Sequence, residues 1–262
     1  MNRVILSRKG FDSKYGGRPS PVFKNGSLFS LPIPQFSKSP TKYKALEFNG
    51  ISGTQALREV ASNKVTPEDY CHYDPALNQR IGLFGQAGSA QTELLNNGVS
   101  IGDMFLFFGW FRKSDKTKID MHLIFGWLQI DEIISGDKNI KTFLKIENLN
   151  HPHNPDFKTY KNNTLYVGRN NFGLFKNISE DLILTASGYS KSMWELPKRY
   201  FKNSKDMKAN VFLNRLKWFH NKHFLVNTNI GPGQEFILDS KKFPDVAAWA
   251  KKLTKRQNTS NE

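Results

Sequence analysis

The sequence predicts an α+β fold in which residues 1–255 form one domain and residues 256–262 a polar tail. The chain has 262 residues, 38% of them hydrophobic, which is long enough to bury a large core. Apolar segments of strand length alternate with segments of helical periodicity, as expected where sheets and helices pack together. The sequence contains neither heptads nor solenoid repeats.

The first element is a short strand at residues 3–6, followed by a polar loop that reaches residue 21. Glycines and prolines interrupt this loop, so it is neither a helix nor a central strand. Loops at strand ends often carry binding and catalytic groups, which makes Asp12 a candidate catalytic residue. Four further residues are candidates for contact with phosphate or nucleic acid: Arg8, Lys9, Tyr15 and Arg18. The alternative is a solvated N-terminal arm.

The segment 71–75, CHYDP, places a histidine two residues before an acid. If the segment is extended, His72 and Asp74 point the same way. Such a pair can be an acid–base couple or two metal ligands, or it can be a structural hydrogen bond that closes a loop. We take both as candidate catalytic residues. Cys71 is the only cysteine, which excludes an intramolecular disulfide and fits a reducing cytoplasm.

The central segment, residues 82–134, gives a glycine-rich turn, a helix at 87–97 and two apolar strands joined by a charged loop. The amides near Gln86 precede a helix and are candidates for phosphate binding, as is Arg112 in the charged loop. The two strands carry similar motifs, FGWF and FGWL, and are expected to pair as a hairpin. Their glycines predict a bulge or the close approach of a ligand. The candidate base pocket consists of Gly109, Trp110, His122, Gly126 and Trp127. The alternative is that these aromatic side chains fill the core.

The C-terminal half contains three further segments of interest. His151 and His153 flank a proline and suggest a metal site, but no acid is fixed nearby in sequence, so no metal is predicted. Residues 198–222 mix aromatic and basic side chains, which suits either stacked bases or a peripheral helix. Residues 223–226 and 235–239 are expected to pair as a hairpin, with Glu235 as a candidate catalytic residue. A C-terminal amphipathic helix is expected at residues 244–253.

The net charge of +15 is unevenly distributed along the chain. Residues 1–44 carry +8 and residues 191–262 carry +9, whereas the segment between them carries −2. This separation is typical of a protein with a polyanionic partner, DNA or a nucleotide, although a merely basic soluble protein is the alternative. Neither a signal peptide nor an apolar run of membrane-spanning length is present, so we expect a cytoplasmic protein without a membrane partner.

Several enzyme classes lack their motifs in this sequence. It contains no P-loop, no GxGxxG after a strand, no GxSxG, no HExxH and no PCxxC zinc-deaminase signature. The sequence therefore leaves the cofactor unknown.

The order helix, Gly-Asp turn, apolar strand and second strand over about residues 86–135 resembles the pseudobarrels of the PUA-like group, which includes EVE, ASCH and YTH domains. The resemblance implies a PUA-like β-barrel core at about residues 82–170, with flanking helices and long polar loops. In those families the mouth of the barrel accepts a nucleobase, which is often modified.

A second resemblance covers nearly the whole chain. It is carried by segments that include ILSRKGFDSKYGGRPSP, HYDP, LFGQAGSAQ, GVSIGDMFLFFGWFR, HLIFGWLQI, HPH and GQEFILD. They are similar to the nucleotide-modification-associated domain 3 family, which implies a role in DNA base modification or phage defence. Pro232 stands where the resemblance leads us to expect a basic residue before Gly-Gln-Glu.

Three functions remain open at this point. The leading hypothesis is a protein that recognises a modified base in a pocket beside the two Phe-Gly-Trp strands. The second is a hydrolase or transferase that acts on such a base or nucleotide. Its polar groups would come from Asp12, Tyr15, His72, Asp74, Gln86, His122, His153 and Glu235. The third is a non-catalytic subunit that binds other proteins of the same modification or defence system. Convergence of the polar groups on one pocket would favour the enzyme.

Overall fold

The computed structural model describes residues 1–197, 200, 216–218, 225–228, 235–241 and 243–258. Its strands are β1 (Arg3–Arg8), β2 (Ser20–Val22), β3 (Thr41–Lys42), β4 (Glu47–Phe48), β5 (Ile51–Ser52), β6 (Tyr70–Cys71), β7 (Gly82–Gln86), β8 (Met104–Lys113), β9 (Asp120–Gln129), β10 (Glu132–Ser135), β11 (Thr164–Gly168), β12 (Phe172–Leu174), β13 (Met193–Glu195), β14 (Leu216–Trp218), β15 (Leu225–Thr228) and β16 (Glu235–Asp239). Its helices are α1 (Gly53–Glu59), α2 (Gly88–Asn96), α3 (Asp137–Ile146) and α4 (Pro244–Asn258), with 3-10 turns at Tyr43–Ala45 and Glu180–Leu182.

The largest sheet has the strand order β12-β9-β8-β1-β16, and β2 also pairs with β8. Strand β1 runs parallel to β8 and antiparallel to β16. The predicted hairpin between residues 223–226 and 235–239 is therefore wrong, because β16 pairs with β1. Strand β15 pairs instead with β13 and β14 in a separate sheet. This pairing places Glu235 opposite Ser7, at the end of β1.

The predicted hairpin of the two Phe-Gly-Trp strands is confirmed. Strands β8 and β9 pair antiparallel over their whole length, and we call residues 104–129 the aromatic hairpin. The register shifts once, between Phe107 and Phe108, so that Phe125 is the extra residue beside Gly126. A bulge of this kind bends the strand that carries the additional residue. The bulge therefore lies beside one of the two glycines that predicted it.

The architecture is mixed α/β, built mostly from strands with a few helices. A second sheet has the order β10-β11-β7 and is antiparallel throughout. Among the described strands, β12 and β16 form the two edges of the largest sheet and do not pair with each other. A barrel closes only when its edge strands pair. The described strands therefore form no closed barrel, and the PUA-like core implied by the resemblance is not confirmed.

The core lies between the large sheet, the second sheet and helix α4. The ring of Phe84 from β7 packs against Phe105 and Phe107 from β8, with ring centroids 4.8 and 5.0 Å apart. Helix α4 turns Val246, Trp249 and Leu253 inward, as the sequence predicts, but it extends to Asn258 and so includes the start of the expected tail. Most of the basic aromatic segment 198–222 lies outside the described residues. Within the described part of the chain, every helix is too short or too polar to cross a membrane.

Candidate functional site

A cavity of about 180 Å³ opens where strand β1 ends, and we call it the histidine pocket. Five separate parts of the chain meet there. They are the β1 end with the loop that follows it, the segment around Ile33 between β2 and β3, the CHYDP segment, the end of β7 and the HPH loop. The pocket is lined by Arg8, Lys9, Gly10, Asp12, Tyr15, Ile33, His72, Asp74, Gly85, Gln86 and His153.

Asp74 lies at the centre of the polar cluster in this pocket, and its carboxylate is 8% exposed. One oxygen, Oδ1, accepts the backbone N–H of Gly85 at 2.8 Å and lies 3.2 Å from His151 Nε2. The other oxygen, Oδ2, lies 3.8 Å from His72 Nε2 and 4.0 Å from His153 Nε2. The two oxygens therefore have different surroundings: Oδ1 is anchored to the protein frame, and Oδ2 faces two imidazole rings.

The charge states of the cluster follow from burial and from these contacts. Burial raises the pKa of Asp74, but the hydrogen bond from His151 and the three nearby imidazoles outweigh it and hold the pKa below its usual range. Burial lowers the pKa of His72 to about 3 and that of His153 to about 4, in both cases against the opposing effect of Asp74. At neutral pH the cluster thus contains a carboxylate and neutral imidazoles at positions 72 and 153.

Local backbone structure brings the cluster together. The backbone N–H of His72 donates to Ile33 O at 2.9 Å, and that of Asp74 donates to His72 O at 2.8 Å. Gly85 has no side chain, and a Cβ at this position would overlap the His153 ring. The glycine therefore lets the HPH loop close onto strand β7 while its amide holds Asp74.

A second polar group borders the pocket and is centred on Glu235. Its Oε1 accepts Gln86 Nε2 at 2.7 Å and lies 3.5 Å from Lys9 Nζ, while Gln86 Oε1 accepts the N–H of Ala87 at 3.1 Å. Lys9 Nζ also lies 4.5 Å from the centre of the Phe84 ring. Full burial raises the pKa of Glu235, and Lys9, Ser7 and Gln86 oppose that rise.

The loop after β1 forms the wall of the pocket that carries Asp12. The carboxylate of this residue accepts the backbone N–H groups of Lys14 and Tyr15 at 2.8 and 2.6 Å, so it holds the turn that presents the Tyr15 ring. Burial lowers the pKa of Arg8, and the charge of Asp12 opposes the shift. Tyr160 covers another side of the cluster, stacked on His153 with ring centroids 4.6 Å apart. Of these two rings, that of Tyr15 lines the pocket, and that of Tyr160 contacts the lining through its stack on His153.

A sequence model of a known family, described as nucleotide modification associated domain 3, matches residues 3–239. The chain belongs to this family. The match spans all five segments that build the histidine pocket and confirms the resemblance found in the sequence. Membership indicates a role connected with nucleotide modification. Searches of curated proteins and of solved structures find no match.

In this member of the nucleotide modification associated domain 3 family, the structure brings most of the predicted polar residues together. Asp12, His72 and Asp74 line the histidine pocket, and Glu235 adjoins it through Lys9 and Gln86. Of the residues predicted to bind phosphate or nucleic acid, four line the same pocket: Arg8, Lys9, Tyr15 and Gln86. The other two, Arg18 and Arg112, line a separate groove, where Arg112 pairs with Asp120.

The five residues of the predicted base pocket lie in or against the aromatic hairpin, away from this lining. Trp127 is 3% exposed and donates from Nε1 to Asn171 Oδ1 at 2.9 Å. His122 is 2% exposed and accepts from Trp194 Nε1 at 2.9 Å. A base could reach either residue only by displacing core side chains. Trp110 lies beneath Lys191, whose Nζ is 4.6 Å from its ring.

The two hairpin glycines are approached by other parts of the protein. A Cβ at Gly109 would lie 2.8 Å from Lys9 O, and one at Gly126 would lie 2.8 Å from Leu77 Cδ1. These glycines allow close packing of neighbouring chain segments. Their geometry does not require a ligand.

Sequence reasoning missed the joint use of the two histidine motifs. No acid lies near His151 and His153 in sequence, and the acid that they approach in the structure is Asp74 of the other motif, CHYDP. Gly85 belongs to the glycine-rich turn of the sequence, and its close contact with His153 appears only in the structure. The sequence holds six histidines, and three of them surround one carboxylate. The presence of two short motifs that each contain histidine and proline was the available signal.

Proposed function

We propose that the chain is an enzyme that acts on a nucleotide or on a modified base of DNA, with the histidine pocket as its active site. The observation that carries this proposal is the convergence of two neutral imidazoles, a carboxylate and a basic group on one small cavity. Catalytic groups must lie within hydrogen-bond reach of the same reacting atoms, and side chains from distant parts of the chain meet that condition here. Family membership supports the nucleotide as substrate class.

Different side chains of the pocket would contact different parts of such a substrate. Arg8 and Lys9 supply positive charge for a phosphate, and Tyr15 supplies a ring on which a base can stack. His72 and Asp74 form the reactive end, where a proton can be accepted or an electrophile held. The volume of about 180 Å³ is below the roughly 300 Å³ at which pockets for complete small ligands begin. It therefore suits one part of a nucleotide, with the remainder outside.

The reaction class that fits these groups is hydrolysis or group transfer at the base or at a phosphate. Purified protein is incubated with modified DNA, plain DNA and free nucleotides, and the products are identified by mass spectrometry of nucleosides and nucleotides. We expect a product from at least one of these substrates. Replacement of the pocket lysine, Lys9→Met, is expected to lower kcat/KM by roughly 100-fold or more because a positive charge that contacts the substrate phosphate is lost.

The matched control is Lys24→Met, which removes an exposed lysine of the same basic N-terminal segment and should leave the rate unchanged. If wild-type protein gives no product from any of these substrates, the enzyme proposal fails. Equal losses for the two lysine variants would instead assign the effect to overall charge.

A second candidate is a protein that recognises a modified base without changing it, within a modification or phage-defence system and together with other proteins of that system. The rings of Tyr15 and His153 in the pocket lining favour it, because a base that enters beside such rings gains stacking contacts. Binding to modified against unmodified oligonucleotides over a salt series tests this function. Salt-dependent binding that distinguishes them, without product, would favour the reader over the enzyme.

A further inference from the structure

We propose that His72, Asp74 and His153 bind a divalent first-row transition metal ion through His72 Nε2, Asp74 Oδ2 and His153 Nε2. The ligand atoms of these three side chains all lie within 4.8 Å of one another. The site lies in the histidine pocket, and any catalytic role of the metal rests on the proposed function. The binding itself is independent of it.

The hydrogen bonds around His153 assign its proton to the nitrogen that points away from Asp74. Asn163 donates from Nδ2 to Asp137 Oδ1 at 2.8 Å and to His153 O at 2.9 Å, which fixes the orientation of the amide. The amide oxygen of Asn163 therefore faces His153 Nδ1, at 2.7 Å, and can only accept. The proton of the neutral ring lies on Nδ1, so Nε2 presents a lone pair to Asp74.

His72 has the same arrangement with different partners. Gln35 donates from Nε2 to Lys38 O at 3.1 Å and approaches Ser37 Oγ at 3.4 Å, so its amide oxygen is the atom that faces His72 Nδ1 at 3.0 Å. The proton of His72 therefore lies on Nδ1, and Nε2 carries a lone pair. Two imidazole lone pairs from different loops thus point toward one carboxylate oxygen.

The remaining oxygen and the third histidine complete the support of the site. His151 Nδ1 accepts the backbone N–H of His153 at 3.2 Å, which leaves the proton of this ring on Nε2, beside Asp74 Oδ1. Asp74 Oδ1 accepts the Gly85 N–H and lies 3.2 Å from His151 Nε2, so Oδ2 is the oxygen directed at His72 and His153. Metal-binding histidines and carboxylates are commonly held in this way by outer hydrogen bonds.

Three acceptor atoms that converge on one point repel one another unless a cation lies between them. Their separations of 3.8 Å, 4.0 Å and at most 4.8 Å place them about 2.5 Å or less from a common point, against roughly 2.0–2.2 Å for histidine and carboxylate ligands of zinc. Movements of a few tenths of an ångström would bring all three into bonding distance. The mixed nitrogen and oxygen set suits ions such as Zn²⁺ or Fe²⁺ rather than Mg²⁺ or Ca²⁺, which prefer oxygen ligands.

The test uses the full chain without a histidine tag, stripped with a chelator and dialysed. Zn²⁺ or Co²⁺ alone is then added, and bound metal is measured by equilibrium dialysis with elemental analysis. We expect one tightly bound ion per chain, and for Co²⁺ a visible absorption band. A stoichiometry well below one for both metals, with either dispersed weak binding or none, would overturn the proposal.

The informative variant is Asp74→Asn, which keeps an acceptor oxygen for Gly85 and presents an amide N–H₂ to the two histidines. It is expected to fold, as checked by near-ultraviolet circular dichroism, and to bind metal more than roughly 100-fold more weakly, since loss of an outer hydrogen bond alone costs 10–100-fold. The control replaces His220 and His223, which lie outside the described residues, by alanine and should retain binding. Wild-type affinity in Asp74→Asn, or loss of binding in the control, would contradict the assignment.

The outcomes also separate this site from the proposed function. Metal binding without product from any nucleotide would leave the site intact and remove the enzyme. Full activity of the stripped protein in the presence of chelator would keep the enzyme and remove any catalytic role of the metal, while the dialysis measurement alone decides whether the site binds it.

Discussion

The aromatic hairpin and the histidine pocket lie on neighbouring strands, yet they use their residues in opposite ways. Strand β1 pairs with β8, and the N–H of Lys9 donates to Phe108 O at 2.8 Å, so the pocket begins beside the middle of strand β8. The hairpin is conspicuous in the sequence because its motif occurs twice. Most of its residues pack in the core. The pocket is inconspicuous in the sequence because its residues are dispersed along the chain. In the structure these residues bring charged groups and nitrogen lone pairs together. A repeated motif can therefore indicate architecture more than function.

The comparison also separates two kinds of glycine. Gly109 and Gly126 admit backbone and leucine atoms from adjoining segments, and they serve packing. Gly85 admits the His153 ring and donates its amide to Asp74, and it serves the pocket. At all three positions another group lies where a Cβ atom would be, so each position favours glycine. What differs is the chemical nature of the group that approaches.

The largest expected effect comes from the hairpin. Trp127→Ala removes a buried ring that packs on Phe175 and is expected to lower the free energy of unfolding by about 3–5 kcal/mol, as for other buried aromatic truncations. Chemical denaturation measures this loss. At temperatures where the variant is folded, nucleotide binding should be unchanged. Selective loss of binding by folded Trp127→Ala would mean that the hairpin, rather than the pocket, contacts the base.

An intermediate effect is expected from Gly85→Ala. The added Cβ overlaps the His153 ring, so we expect a cost of about 1–3 kcal/mol in unfolding free energy, as for other overpacked sites, together with loss of metal binding and of product formation. Denaturation, metal titration and the product assay measure the three effects.

The control for that substitution is Gly50→Ala, where the added atom has open space at a positive φ of 72°. It should cost about 1–2 kcal/mol from backbone strain alone and leave metal binding intact. If Gly85→Ala binds metal as wild type does, the close contact with His153 is not needed for the site.

The smallest effect is a pH dependence from Glu235, whose pKa is raised by burial above its ordinary value of 4.5. The folded state then binds more protons than the unfolded state. The contribution of Glu235 to the unfolding free energy is therefore complete below pH 4.5 and is lost as the pH rises through the folded pKa. The slope is at most about 1.4 kcal/mol per pH unit, the limit for one proton. Glu235→Gln should remove this decline.

Denaturation of wild type and Glu235→Gln between pH 4 and 8 measures the difference between their unfolding free energies. We expect the unfolding free energy of the variant to increase relative to that of the wild type as the pH rises. A difference that stays constant across this range would mean that the pKa of Glu235 is the same in the folded and the unfolded protein, which would contradict the prediction.

The sequence alone determined the elements whose signal is local. The hairpin of residues 104–129, strand β1 and the inward face of helix α4 follow from periodicity and turn residues, which neighbouring positions specify. It also determined the family, since motifs along residues 3–239 carry that resemblance. The four candidates Asp12, His72, Asp74 and Glu235 were named from residue type, because few side chains can carry such chemistry.

Only the tertiary structure decided which of these groups meet. Lys9 and Glu235 are 226 positions apart and Gln86 and Glu235 are 149 apart, and no local pattern specifies such contacts. The pairing of β16 with β1, in place of the expected hairpin, places Glu235 beside the pocket. The closure of the HPH loop on Gly85 moved His153 toward Asp74. Long-range packing, rather than local propensity, selects those partners, and through them the chemistry of the pocket.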